Sequence, residues 1–106
     1  LHDDLDLPLS KFKISYNKGP GGHKGVGSIV KAIGTQEFIR IRIGISPATP
    51  SGKLRKPEGE SKVLDFILGK LKSNELLALR KIGKDVAAAL SLLADEGVEA
   101  AMNNFN

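Results

Sequence analysis

Cysteine is absent from this chain of 106 residues, and so are long apolar runs. Without cysteine the chain can form neither a disulfide framework nor a thiolate metal site, which suits a reducing compartment. No apolar run approaches the roughly 20 residues of a membrane-spanning helix, so we expect no membrane contact. Internal repeats and low-complexity tracts are absent too. With 41% hydrophobic and 26% charged residues, the sequence predicts one small soluble domain over residues 1–106.

Positive charge is concentrated in the first part of the chain. The net charge is +4, but residues 1–62 carry eleven Lys and Arg against six Asp and Glu, whereas residues 63–106 carry five against six. This asymmetry favours a surface that faces a polyanion, with nucleic acid as the first candidate. A solvated lysine-rich surface would give the same counts, so that alternative stays open.

The glycine-rich stretch KGPGGHKG, residues 18–25, is the most distinctive part of the sequence. It holds four of the twelve glycines together with His23 and Lys24, and it ends where an apolar helical pattern begins. Glycine permits a left-handed backbone and close approach of another molecule, and a glycine-rich turn that opens a helix presents N–H groups to an anion. The stretch therefore predicts either an anion cradle or a flexible connector. A nucleotide site at residues 19–25 is the weaker idea, because the Lys-Ser/Thr signature is missing.

Two segments alternate as strands do. Residues 11–16 predict a half-exposed edge strand with Lys13 on its polar face, and residues 38–45 place isoleucines on one face and Arg40 and Arg42 on the other. An arginine on a rigid strand is well placed to bind phosphate. The alternative to phosphate binding is that this face is exposed and pairs with Asp or Glu.

Apolar residues at helical spacing predict helices over about residues 23–33, 74–95 and 98–105. We expect Ser73 to be the N-cap of the long helix, and its apolar stripe to lie in the core. Residues 63–69 predict a single helical turn, with a strand as the weaker alternative. Residues 46–62, rich in Pro, Gly and Lys, predict a long lid-like loop.

The first residues predict the end of a strand followed by an acidic turn, over residues 2–10. Asp3, Asp4 and Asp6 repel one another there, so they need water, a cation or a basic partner. For a metal, oxygen ligands would favour Mg²⁺ or Ca²⁺, but the spacing lacks the calcium-loop pattern. With a helix between strands the fold class is α/β, and we expect the N-terminal part of the sheet to precede Leu1.

Four motifs follow one another along the chain: HDDLDLP at residues 2–8, GGHKG with Ser28-Ile29 at residues 21–29, FIRIRIGI at residues 38–45 and VLDFILG at residues 63–69. In this order they resemble the bacterial-type peptidyl-tRNA hydrolase family over the whole chain. The resemblance covers the C-terminal half of that family. It implies a three-layer mixed sheet flanked by helices, as in that family, with no cofactor and no metal.

The implied activity is hydrolysis of the ester that joins a peptide to the terminal ribose of tRNA, which recycles the tRNA. The resemblance makes Asp3 the catalytic residue that orients a histidine, and it places that histidine upstream, so the chain is expected to be inactive alone. It assigns Gly22, His23 and Lys24 to the peptide-binding wall. In the family, an asparagine usually stands where this chain has Lys24.

The same resemblance maps a basic clamp for tRNA phosphate onto Lys13 and Arg42. It further implies peptidyl-tRNA as the partner, a cytoplasmic location and a monomer when the protein is complete. The alternative is a non-enzymatic RNA-binding module of the same fold, like the splicing cofactors related to this family. Asp3 favours the enzyme, whereas Lys24 leaves room for the module.

Overall fold

The computed structural model describes residues 1–47 and 56–106. In these residues three strands and four helices form an α/β arrangement, as the sequence predicts. The elements are β1 (His2–Pro8), β2 (Phe12–Tyr16), α1 (Lys24–Ile33), β3 (Ile39–Ser46), α2 (Glu60–Leu68), α3 (Ser73–Glu96) and α4 (Val98–Phe105).

The strands form a mixed sheet in the order β1-β3-β2, with β3 at its centre. β3 runs parallel to β1 and antiparallel to β2. Both neighbours meet at Arg42, which stands opposite His2 on β1 and opposite Lys13 on β2. Within the described residues β2 is an edge strand, which confirms the prediction.

The prediction of a strand end and then an acidic turn over residues 2–10 is wrong for the acidic residues, because Asp3, Asp4 and Asp6 all lie within β1, a strand of seven residues. The repulsion that suggested a turn is relieved by three separate partners. Asp3 meets His23, Asp4 meets Arg42 and Asp6 meets Lys56. Each carboxylate is thereby neutralised or hydrogen-bonded, so the chain stays extended.

Gly44 marks the place where the end of β1 crosses closely over β3. A Cβ atom built there would lie 2.1 Å from the Pro8 carbonyl oxygen and 2.8 Å from that of Leu7. The strand register shifts between Asp4 and Pro8, and Ser10 takes a left-handed φ of 77° as the chain turns toward β2. The crossing therefore depends on the absence of a side chain at residue 44.

The core lies between the isoleucine face of the sheet and the two C-terminal helices. Its buried members are Ile14, Ile41, Ile82, Val86, Ala89 and Ala101. The alternation of β2 and β3 thus sends apolar residues to this side and Lys13, Ser15, Arg40 and Arg42 to the other. In α3 the predicted apolar stripe is only partly buried, since Leu76 and Leu90 are exposed.

The C-terminus completes the open edge of β2. The side-chain amide of Asn106 accepts a hydrogen bond from the Ile14 N–H at 2.8 Å and donates one to the Ile14 carbonyl oxygen at 2.9 Å. This pairing mimics the contact that a further strand would make. It satisfies backbone groups that an edge strand otherwise leaves open.

Two helix predictions and one loop prediction need correction. Lys72, not Ser73, is the N-cap of α3, and its N–H donates to the Glu75 carboxylate at 2.7 Å. The single turn predicted at residues 63–69 is a nine-residue helix, α2. Of the predicted loop at residues 46–62, Ser46 belongs to β3 and α2 begins at Glu60, while residues 48–55 lie outside the described residues.

Among the described helices, none combines the length and the apolar composition that crossing a membrane requires.

Candidate active site

A cleft of about 650 Å³ opens on the arginine face of the sheet. Its floor comes from β1 and β3, one wall is the glycine-rich stretch at residues 18–25, and the opposite wall is the apolar side of α2. Sequence reasoning predicted four of the residues that line it, namely Asp3, Gly22, His23 and Lys24, and a fifth, Arg42, as a phosphate ligand. Lys13 stands directly opposite Arg42 on β2.

The glycine-rich wall is shaped by two left-handed glycines and closed by a helix cap. Gly21 and Gly22 have φ values of 59° and 82°, which other residues rarely adopt. The His23 N–H then donates to the Pro20 carbonyl oxygen at 3.0 Å, and the chain enters α1. The His23 side chain caps this helix, because its Nδ1 accepts the Val26 N–H at 3.1 Å.

Asp3 and His23 form the contact that joins β1 to this wall. His23 Nε2 lies 2.9 Å from Asp3 Oδ1, and both side chains are partly exposed to the cleft. The sequence assigns these residues to the site separately. Their direct contact depends on the fold, which brings residues 20 positions apart to the same edge.

His2 was not predicted as a site residue, yet it lines the cleft beside His23. The two rings meet edge to face with centroids 4.8 Å apart. His2 Nδ1 donates to the Asp3 carbonyl oxygen at 2.7 Å, while its Nε2 is buried with no hydrogen-bond partner in the described part of the chain. Burial lowers the pKa of His2 by more than the hydrogen bond to the Asp3 carbonyl oxygen raises it, and the nearby charge of Arg40 lowers it further. The fold therefore favours the neutral ring.

Arg42 sits at the centre of the floor in an ion pair with Asp4. Its Nε donates to Asp4 Oδ2 at 2.6 Å and its Nη1 to Ser15 Oγ at 3.1 Å. Burial opposes ionisation of Asp4, but the hydrogen bonds from Arg42 and from the Asp6 N–H outweigh it and lower the pKa of Asp4. The pairing with Asp that was the alternative to phosphate binding is present. Within the described ranges it leaves Nη2 of Arg42 for another acceptor.

Arg40 is the most deeply buried cation of the cleft, with 7% of its surface exposed. Its Nη2 donates to the Gly19 carbonyl oxygen at 2.9 Å and so ties the first turn of the wall to β3. Burial lowers the pKa of Arg40, and the charge of Arg42 adds to that effect. Sequence alternation placed Arg40 on a polar face, but it gave no sign of this depth.

The outer rim of the cleft carries an exposed ion pair. Lys56 Nζ donates to Asp6 Oδ1 at 2.5 Å, and this hydrogen bond raises the pKa of Lys56. Lys24 is exposed at the first position of α1. In residues 1–47 and 56–106, no three His, Asp or Glu side chains gather as metal ligands would.

The signal that could have found Asp4 and Arg42 together is the alternation of β1. Once residues 2–8 are interpreted as a strand, His2, Asp4 and Asp6 share one face, on the same side of the sheet as the arginines of β3. The acidic-turn interpretation concealed this match. Arg40 and Gly19, by contrast, are joined by a side chain and a loop carbonyl that no periodicity connects.

Comparison with known proteins gives one consistent family. The family profile described as peptidyl-tRNA hydrolase matches residues 1–106. The peptidyl-tRNA hydrolases of Thermotoga sp. (strain RQ2) and Syntrophotalea carbinolica are 40% and 34% identical over 106 residues, which is all of this chain and 52% and 51% of theirs.

A solved structure gives the same result. The crystal structure of peptidyl-tRNA hydrolase from Acinetobacter baumannii is 32% identical and superposes with a TM-score of 0.78 over 96% of this chain and 47% of that chain. The chain thus spans about half the length of the relatives it matches. Because the profile covers every residue and the mixed sheet is shared, the chain belongs to the peptidyl-tRNA hydrolase family.

Proposed function

We propose that the complete protein hydrolyses the ester between peptide and tRNA in peptidyl-tRNA and so recycles the tRNA. The observation that carries this proposal is Asp3, which stands in the cleft of a chain that matches peptidyl-tRNA hydrolases over its whole length. The chain itself is one domain, the C-terminal half of the complete fold. The protein acts in the cytoplasm as a monomer and needs no cofactor.

Asp3 is the catalytic carboxylate in this proposal. It orients the histidine that removes a proton from the attacking water, as the carboxylate of a hydrolase triad does. Neither histidine of this chain suits that role. His23 uses both ring nitrogens, and Nε2 of His2 is buried out of reach of solvent. As the family resemblance implies, the base in this proposal belongs to residues upstream of Leu1.

The peptide lies along the glycine-rich wall in this proposal, against Gly22, His23 and Lys24. A backbone without side chains at residues 21 and 22 allows a peptide to approach closely. Lys24 supplies donors and a full charge where an amide would both donate and accept. We therefore expect Lys24 to favour acceptor groups such as peptide carbonyls or a phosphate.

Phosphate of the tRNA binds Lys13 and Arg42. These two cations stand directly opposite each other on β2 and β3, where like charges repel. Asp4 relieves part of this repulsion through its pairing with Arg42. An anion bridging Lys13 and Nη2 of Arg42 would relieve the rest, which supports phosphate binding by this pair.

The role of Asp3 is tested in the chain joined to its upstream residues. Asp3→Asn should lower kcat for release of an N-blocked aminoacyl group from tRNA by about 100-fold or more, because the histidine loses its orienting acceptor. Asp85→Asn, an exposed carboxylate change on α3, is the matched control and should leave release unchanged. Full release by Asp3→Asn would exclude the proposed role. Tight RNA binding by the parent protein without any release would instead indicate the RNA-binding module.

A further inference from the structure

Both ring nitrogens of His23 are committed within the protein. Nδ1 accepts the Val26 N–H at 3.1 Å, so it carries a lone pair and no proton. The ring proton is therefore on Nε2, which donates to Asp3 Oδ1 across 2.9 Å. One neutral imidazole thus caps α1 and holds a carboxylate of β1 at the same time.

This arrangement limits what the His23 side chain can offer to a ligand. A peptide group could hydrogen-bond to a ring nitrogen only by displacing the helix cap or the Asp3 carboxylate. The second oxygen of Asp3, Oδ2, makes no hydrogen bond to any residue within the described ranges. The His23 contact therefore fixes the carboxylate at Oδ1 and leaves Oδ2 available.

Hydrogen bonds along the rest of the glycine-rich wall restrict movement of the His23 ring. Its start is tied to β3 by the hydrogen bond from Arg40 to the Gly19 carbonyl oxygen, and its end is closed by the bond from the His23 N–H to the Pro20 carbonyl oxygen. Beside it, His2 packs edge to face against the His23 ring. A ring held from several sides can hold Asp3 in one rotamer.

We propose that His23 is a positioning residue that acts through Asp3, fixing the carboxylate so that Oδ2 faces the group it orients. This inference rests on the proposed function and refines it, since it moves the His23 side chain from peptide binding to support of the catalytic carboxylate. The peptide then contacts the wall through the backbone of residues 21–23 and through Lys24.

Two substitutions separate the two contacts of the ring. His23→Asn keeps a good N-cap but is too short to reach Asp3, whereas His23→Gln is a poor N-cap whose amide can still donate toward Oδ1. In the chain joined to its upstream residues, we expect His23→Asn to lower kcat for aminoacyl release about tenfold or more, with KM unchanged. His23→Gln should recover part of that loss, although its helix cap is weaker.

Each other outcome contradicts the proposal. A rise in KM with kcat preserved would make His23 a peptide ligand. Full activity in His23→Asn, together with lower activity in His23→Gln, would mean that His23 serves only as the N-cap of α1. The double variant of Asp3→Asn with His23→Asn should be no slower than Asp3→Asn, because both changes act on one carboxylate. Multiplied losses in the double variant would show that the residues act independently.

Different results would contradict the catalytic role of Asp3 and the positioning role of His23. If Asp3→Asn releases aminoacyl groups at the parental rate, the proposed function fails at its catalytic residue. If Asp3→Asn is slow and His23→Asn is normal, the proposed function stands and the inference is wrong. Circular dichroism of the helices in each variant confirms that rates are compared between folded proteins.

Discussion

His2 is the residue whose protonation the fold opposes most plainly. Its Nε2 is buried without a partner in the described residues, and its neighbours within the cleft include the cation Arg40. Protonation would place a positive charge and an unpaired N–H in that position. The folded state therefore binds this proton less readily than the unfolded chain, whose histidines titrate near pH 6.5.

The pH dependence of stability follows from that lowered pKa. Where the unfolded chain binds more protons than the folded one, the free energy of unfolding rises with pH. His2 should therefore destabilise the fold as the pH drops from about 7 through the ordinary histidine pKa. Urea unfolding at pH 7.5 and 5.5 should show a smaller difference in His2→Gln than in the parent. An equal difference in both proteins would contradict the assignment.

Single residues were predictable from the sequence where a motif names them, as for Asp3, His23 and Gly22. Their partners were not, because a partner depends on register. Arg42 finds Asp4 only when β1 and β3 are parallel with Asp4 level with Gly44. Arg40 finds the Gly19 carbonyl only after the wall has folded over the sheet.

Gly44 decides how closely two elements can approach. Alanine there would drive its methyl group into the Pro8 and Leu7 carbonyl oxygens, which belong to backbone that cannot move aside cheaply. We expect Gly44→Ala to lower the free energy of unfolding by about 2 kcal/mol or more, as overpacking does. Chemical denaturation of the complete protein measures the change.

The matched control is Gly83→Ala in the interior of α3. A Cβ at residue 83 meets no atom within 4 Å, so the change should add about 1 kcal/mol of stability through helix propensity. Equal losses at both positions would mean that the crossing at Gly44 is not the cause.

The type of most helices and strands could be predicted from the sequence, whereas their first and last residues were harder to predict. The isoleucine alternation of β3 and the spacing of α1 and α4 each follow one clear period. β1 was misread because three acidic residues dominate its composition, although their partners lie on other elements. α2 was predicted too short because its first turn, at Glu60–Lys62, is polar.

The proposed binding of tRNA would depend on the charged face as a whole. Lys13→Glu removes a cation opposite Arg42, so we expect weaker tRNA binding and a slope of log affinity against log salt that is shallower by about one. Lys84→Glu makes the same change in net charge on α3, behind the opposite face of the sheet. It should alter neither quantity appreciably. Filter binding over a series of salt concentrations measures both quantities. Equal effects in the two variants would show that Lys13 is not part of the tRNA-binding site.

The central position of β3 has a consequence for how the chain is made. β1 and β2 are joined by a short turn but cannot pair with each other, because β3 lies between them. The ribosome produces both strands first and β3 only after residues 17–38 have been added. Until Ser46 has emerged, β1 and β2 each keep open the edge that β3 will later pair with. Synthesis therefore passes through a stage exposed to wrong strand pairing, and this stage ends when β3 inserts between β1 and β2.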